Sequence, residues 1–247
     1  MNKILIITPF YNVEKWITNT IKSVKAQTYT NFRHVLIDDL STDSSVKIIK
    51  DLISDDDRFT LVENHEKKYA LRNIYDAIDH FCSDPEEIIV TLDGDDWLAS
   101  PKSLETVNDC YSQTNCLITY GSYKDFPSGY RGKFSKPMNN QIIEEKTFRD
   151  IPWITSHLRT FKNKLWKKIK IEDLLDKDQE FYKKTWDLAI MYPMLEMAGK
   201  RIKFIEKILY VYNTANDLND HKVDHSEQLK IERIIRNKER YDTINDF

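Results

Sequence analysis

From Lys3 to Leu92 the chain alternates short apolar runs with segments of helical periodicity, and few folds accept that pattern. KILIITPF, RHVLIDD, RFTLVEN and EEIIVTL are too short for helices and rich in β-branched residues, so they read as strands, the first stopped by Pro9. Between them Val13, Trp16, Ile17, Ile21 and Val24 recur at helical spacing. So do Val46, Ile49, Leu52 and Ile53, and then Leu71, Ile74, Tyr75, Ile78 and Phe81. Asn12 is positioned to cap the first helix. Such alternation predicts an α/β fold, a mostly parallel sheet flanked by helices. Ligands of these sheets bind beyond the carboxyl ends of the strands. Three polar clusters fall there: Thr8 to Asn12, Asp38 with Asp39, and Asp93 to Asp96.

The second half is less regular. A helix carrying Leu104, Val107 and Tyr111 precedes a strand in CLITYGSY, and residues 125–145 read as a long loop of functional length. A buried helix ending at Gly199 and a strand or hairpin follow. From Ser226 the sequence is charged, with Leu229, Ile231, Ile234 and Ile235 on one helix face that could pair with another chain. At 247 residues this reads as one domain: a ligand-binding half to 98, a second half over 99–225 and a charged helical tail over 226–247. No run is long enough to span a bilayer, no leader precedes the first strand, and Cys82, Cys110 and Cys116 lack metal spacing. A cytoplasmic chain with reduced thiols is expected, at most peripheral to a membrane. Its net charge of −3 argues against nucleic acid as a partner.

Parallel α/β sheets often bind dinucleotides or nucleoside triphosphates through glycine-rich turns. The turn after the first strand, TPFYN, contains no glycine, in a chain with only 5, and both readings fail. An EF-hand reading of Asp93 and Asp95 fails too, because Trp97, Leu98 and Leu104 occupy ligand or turn positions. In an extended segment Asp93 and Asp95 point to one side. Two converging carboxylates are costly unless a cation lies between them, and oxygen ligands favour Mg²⁺ or Mn²⁺. Asp55, Asp56 and Asp57, by contrast, read as a solvated turn.

ILIITPFYNVEKWI, QTYTNFRHVLIDDLSTDSS and TLDGDDWLASP, in that order and spacing, resemble the family 2 glycosyltransferases of GT-A fold. The resemblance implies inverting transfer of a sugar from a nucleotide diphosphate donor, UDP-linked by preference, with a divalent metal. It assigns Pro9 and Tyr11 to the nucleobase pocket and Asp39 to the uracil imide. Asp38 becomes a ribose contact or a helix cap. Asp93 takes a ribose or metal-water role and Asp95 is the direct metal ligand, with Asp96 one position away in register. Lys68 falls near the base or phosphate, or is a surface lysine.

The same resemblance places a general base at the start of a later helix, where Asp187 stands beside Trp186 in place of the usual Glu. Asp187 alternatively serves as a helix N-terminal acid, and Trp186 stacks on a sugar or joins the core. A late histidine completing the metal shell would be His221, with His225 second. His157 and Arg159 share a strand face and are candidates for the acceptor, a glycan, a lipid-linked sugar or another hydroxyl. Arg159, Lys162, Lys164, Lys167, Lys168 and Lys170 form a basic series suited to an anionic acceptor or membrane, or to a solvated helix face. Two rival functions remain: a non-catalytic nucleotide- or glycan-binding partner subunit, and a sugar-1-phosphate nucleotidyltransferase, which should carry a glycine-rich first loop.

Overall fold

The computed structural model of the protein describes residues 1–217 and 225–246. Strands β1 (Ile4–Phe10), β2 (Phe32–Asp38), β3 (Phe59–Glu63) and β4 (Ile88–Thr91) alternate with helices α1 (Ile17–Lys25), α2 (Ser45–Ile53) and α3 (Tyr69–Phe81). They are followed by β5 (Trp97–Leu98), α4 (Ser103–Gln113), β6 (Ile118–Phe126), α5 (Asn140–Glu145), β7 (Thr160–Lys162) and α6 (Asn163–Trp166). Then come α7 (Trp186–Ala198), β8 (Ile202–Asn213) and α8 (His225–Arg236). The eight strands make one sheet in the order β3-β2-β1-β4-β7-β6-β8-β5. The first four run parallel, as the alternation predicts; β7 is antiparallel to both neighbours, and β8 runs parallel to β6 and antiparallel to β5. The expected α/β class is therefore observed.

Every residue of β1 is buried because both faces of the sheet are covered. Leu5 and Ile7 join Leu71, Ile74 and Ile78 of α3 in one core, while Ile4 and Ile6 join Ile17, Ile21 and Val24 of α1 in the other. Side chains that alternate across a strand thus feed two separate cores. Pro9 does not stop β1. It lies beyond the last β1–β4 pair, Ile7 with Thr91, so its missing N–H costs that ladder no bond. Asn12 does not cap α1 either, since the helix starts at Ile17 after a turn closed by Ile17 N–H on Val13 O. Its φ is 51°, and its Oδ1 accepts from Thr42 N–H, in the loop between β2 and α2, at 2.8 Å.

His34 of β2 is fully buried between β1 and β3, its Nε2 2.8 Å from Thr8 Oγ1 and its Nδ1 without a hydrogen-bond partner among the described residues. Burial lowers its pKa to about 3, so the folded protein holds this ring neutral. Below the unfolded value near 6.5 only the unfolded chain takes up the proton. Stability should therefore fall by about 1.4 kcal/mol per pH unit as pH drops from ~6.5 towards 3. Urea melts of the wild type and His34→Phe at pH 7 and 5 should differ in slope by about 2 kcal/mol over that interval. Equal pH dependence in both would remove His34 as the cause.

α7 is buried along almost its whole length and packs in the core shared with α3. Its Glu196 meets Arg149 in a bidentate pair at 2.6 and 2.8 Å, with both side chains nearly inaccessible. Tyr241 N–H also donates to Glu196, and Arg149 Nη1 donates to the carbonyls of Ile235 and Lys238. The tail is thereby tied across α7. Ile235 is buried and Ile231 packs on the same core, while Leu229 and Ile234 stay exposed, so only part of the expected apolar face is open.

The basic series is not one solvated face. Arg159 and Lys162 are buried, and Lys162 donates to Glu86 O at 2.7 Å, whereas Lys167, Lys168 and Lys170 are exposed. No helix among the described residues is long and apolar enough to cross a membrane.

Candidate active site

The parallel strands β1, β2 and β4 end side by side, which gathers the three polar clusters at one edge of the sheet. Beyond β4, Asp96 N–H donates to Asp93 O at 3.1 Å, so the acidic segment is a turn and not an extended strand. The expectation that Asp93 and Asp95 point the same way is corrected by this closure. Thr20 Oγ1 of α1 lies 2.9 Å from Gly94 O and 2.7 Å from Asp96 O, bracing the turn from below. A Cβ on Gly94 would stand 2.5 Å from Phe10 Cβ, so the close approach of turn and strand requires glycine.

Asp96 is drawn inward. Its Oδ2 accepts from Tyr210 OH at 2.6 Å and its Oδ1 from Asn213 N–H at 2.7 Å, both near the end of β8. Burial, then the charges of Asp95 and Asp93, push its pKa well above the usual carboxylate range, and these two hydrogen bonds offset that only in part. Asp95 turns the other way, its Oδ2 accepting from Asn216 Nδ2 at 2.7 Å. Asp93 and Asp95 are half-buried. Donor atoms of Asp93, Asp96 and His157 all lie within 4.8 Å of one another, the metal-capable cluster found among the described residues. Carboxylates with one imidazole suit Mn²⁺ or Mg²⁺, and a cation would relieve the repulsion that raises Asp96. The residues present therefore fit a divalent ion.

His157 is stacked on Tyr210 at 4.2 Å between ring centroids, and its Nε2 lies 3.5 Å from Arg159 Nη2. Arg159, itself buried, donates from Nη1 to Asp187 Oδ2 at 3.1 Å and lies with Cζ 5.1 Å from the centre of the Trp186 ring. A continuous run of contacts thus joins the acidic turn to the first turn of α7. The Asp187 side chain keeps 24% of its exposure, whereas Trp186 is buried and packs in the core.

The Asp39 carboxylate closes the opposite side. It accepts from the backbone N–H groups of Lys68 and Tyr69, at 2.8 and 3.0 Å, and from the side-chain amides of Asn64 and Asn73, at 3.1 and 3.0 Å. Burial by itself would raise its pKa; the bonds from Lys68 and Asn73, the Lys67 ammonium and the Tyr69 N–H outweigh it and hold the carboxyl below its usual value. Lys67 Nζ rests 3.1 Å from the centre of the half-exposed Tyr11 ring and 3.4 Å from Asp39 Oδ2. Lys68 sends its own ammonium to Asp76 instead, at 2.9 Å. Asp38 Oδ1 accepts from Ser41 N–H at 3.0 Å, while Asp43 and not Asp38 bonds the first N–H of α2. Pro9 is buried beside the acidic turn, its carbonyl 3.4 Å from a Cβ built on Gly94. His221 and the side chain of His225 lie outside the described residues.

Lys67, Tyr69, Tyr210, Asn213 and Asn216 were not singled out by the sequence. Lys67 adjoins the lysine that was, but the others carry no local signal, because each acts through a partner far along the chain.

The model of the family described as Glycosyl transferase family 2 matches residues 5–175, more than half of the chain. The chain belongs to glycosyl transferase family 2. Similar proteins include an uncharacterized glycosyltransferase of Haemophilus influenzae, 36% identical over 157 residues that cover 63% of this chain and 57% of that protein. Another is the Escherichia coli UDP-Glc:alpha-D-GlcNAc-diphosphoundecaprenol beta-1,3-glucosyltransferase WfgD, 33% identical over 53% of this chain and 50% of that protein. The chain thus spans about half the length of these relatives. S. aureus TarS, solved with UDP-GlcNAc, superposes with a TM-score of 0.68 at 17% identity, covering 94% of this chain and 65% of that one. That likeness shows the shared fold, with the mostly parallel sheet of the GT-A architecture.

Proposed function

We propose that this family 2 chain transfers a sugar from a nucleoside diphosphate donor, UDP-linked by preference, to the hydroxyl of a glycan or lipid-linked acceptor, with inversion and with a divalent cation. The observation that carries the reading is the convergence at one sheet edge of the acidic turn, His157 and the Arg159–Asp187 pair. Relatives and structural neighbours that name UDP-Glc, UDP-GlcNAc, and GDP-Man with Mn²⁺ support a nucleotide-sugar donor.

Asp93 and Asp95, more exposed than Asp96, would hold the cation once Asp95 exchanges its bond from Asn216 Nδ2 for the ion and turns back towards Asp93, with His157 alongside. Asp96, both oxygens engaged by Tyr210 and Asn213, sets the shape of the turn. When bound, the ion supplies positive charge to the departing diphosphate. Tyr11 offers a ring face to the base, and Asp39 accepts the uracil imide. Four hydrogen bonds already occupy that carboxylate, so the imide reaches it by displacing the Asn64 or Asn73 amide or the Lys67 ammonium. Asp187, oriented by Arg159, takes the acceptor proton as the hydroxyl oxygen attacks the anomeric carbon.

A thermal-shift panel of UDP, GDP, CDP, dTDP and ADP, each with and without Mn²⁺, tests the donor half. A ligand at ~100 times its Kd stabilises the native state by about 2.7 kcal/mol, which for a chain of this length raises the midpoint by about 5–10 °C. The expected result is a rise with UDP that needs Mn²⁺. No rise with any nucleotide would overturn the donor assignment.

A further inference from the structure

Past β6 the chain doubles back, with Lys124 bridged antiparallel to Arg131. Asp125 N–H donates to Tyr130 O at 2.8 Å, and Gly129 N–H to Asp125 O at 2.7 Å with Gly129 at φ +76°, a conformation that glycine adopts freely. Gly132 is pressed so closely on Tyr123 that a Cβ there would stand 1.9 Å from the ring. Further on, Lys136 N–H donates to Ile154 O at 3.3 Å, Ser156 N–H to Phe134 O at 3.3 Å and Tyr120 OH to Lys136 O at 2.8 Å. The backbone is therefore held at both ends, yet two of its aromatic rings face outward: Tyr130 is 77% exposed and Phe134 51%.

The same segment carries four cations, Lys124, Arg131, Lys133 and Lys136, against the single carboxylate of Asp125, in a chain whose net charge is −3. Arg131 is drawn back to Ser122 Oγ and to Glu206, whose carboxylate lies 4.0 Å away. Lys133 and Lys136 are exposed beside the two rings. Exposed aromatic rings interleaved with exposed lysines on a backbone pinned at both ends match the interface of a bilayer, where rings settle at headgroup depth and ammonium groups meet lipid phosphates. A glycan platform would instead hold its rings in a concave wall that covers much of each, and Tyr130 is open over most of its surface.

We infer that residues 124–137 form a lip that docks this protein on an anionic lipid surface. Ser156, bonded to Phe134, is the neighbour of His157, so the lip borders the proposed acceptor side of the site. That the docked lip presents a lipid-linked acceptor rests on the proposed transfer; the docking itself does not.

The test is co-sedimentation of the full chain with vesicles of phosphatidylcholine alone and with about 30% phosphatidylglycerol. The wild type should partition at least about tenfold more strongly onto the anionic vesicles and release at about 0.5 M salt. Lys133→Ser/Lys136→Ser should lose about fivefold per lysine, and Tyr130→Ser/Phe134→Ser about tenfold, with melting midpoints and nucleotide-induced shifts like the wild type. Wild-type protein that ignores the anionic lipid, or variants of both pairs that bind vesicles as it does, would overturn the inference. So would unchanged vesicle binding together with a raised KM for a soluble glycan acceptor in Tyr130→Ser/Phe134→Ser, which would assign the rings to a glycan surface. Because vesicle binding needs no transfer, its failure and that of the proposed activity are read separately.

Discussion

Asp95→Asn is expected to lower metal-dependent transfer by about 10²–10³-fold while moving the melting midpoint by no more than ~2 °C. The side chain is half-exposed and its recorded partner is Asn216 Nδ2, which an asparagine carbonyl at position 95 can still receive. What the substitution removes is the negative charge that would bind the cation. Asp96→Asn should behave in the opposite way. Both oxygens of Asp96 accept hydrogen bonds inside the protein, and an amide nitrogen in place of one would face the Tyr210 hydroxyl or the Asn213 N–H. The amide nitrogen either opposes the Asn213 N–H or turns the Tyr210 hydroxyl from donor to acceptor, and losing the charge-assisted bond costs about 1–3 kcal/mol, a fall of several degrees in the midpoint. Titrating Mn²⁺ into each variant with UDP present separates the roles. If Asp96→Asn lost the ion at an unchanged midpoint and Asp95→Asn kept it, the cation would belong to Asp93, Asp96 and His157 instead.

The second large effect concerns stability. Removing either partner of the Arg149–Glu196 pair leaves an uncompensated charge where neither side chain reaches water, at a cost of about 3–5 kcal/mol. Arg149→Ala or Glu196→Ala should therefore lower the midpoint by on the order of 10 °C. Both should also speed proteolysis of residues 237–246, because Tyr241 N–H and the carbonyls of Ile235 and Lys238 lose their partners with the pair. Arg149→Ala/Glu196→Ala should lose less than the two single changes added together, by about 1–3 kcal/mol, since it leaves no lone charge. Differential calorimetry of the three variants decides the matter. Single variants within ~2 °C of the wild type, or losses that simply add, would show the pair to be uncoupled.

The parallel half of the sheet was legible in the sequence because it follows from short-range pattern. Four β-branched runs separated by helical periodicity require helices on both faces, and β1 is buried throughout as that demands. The placement of acidic clusters at the ends of β2 and β4 follows from the same pattern. Boundaries governed by hydrogen bonds between distant loops were not legible. Asn12 looks like a helix cap, and it instead ties the end of β1 to Thr42.

Within the acidic turn, residue types and spacing set out three carboxylates and the chemistry they suit. Alternation along an extended strand pairs Asp93 with Asp95, and nothing local contradicts it. Tertiary structure decided otherwise, because Tyr210 and Asn213, more than a hundred residues away, offer two donors that draw Asp96 inward while Asn216 draws Asp95 outward. The sequence nominated His157 with Arg159 as one face and Asp187 apart from them; only the fold brings Arg159 to Asp187 and His157 to the acidic turn. Periodicity reports which face of an element meets the core, since it is a property of neighbours three or four residues apart. The direction of a polar side chain at a turn is set by whichever buried donor reaches it first, and that donor belongs to another part of the chain.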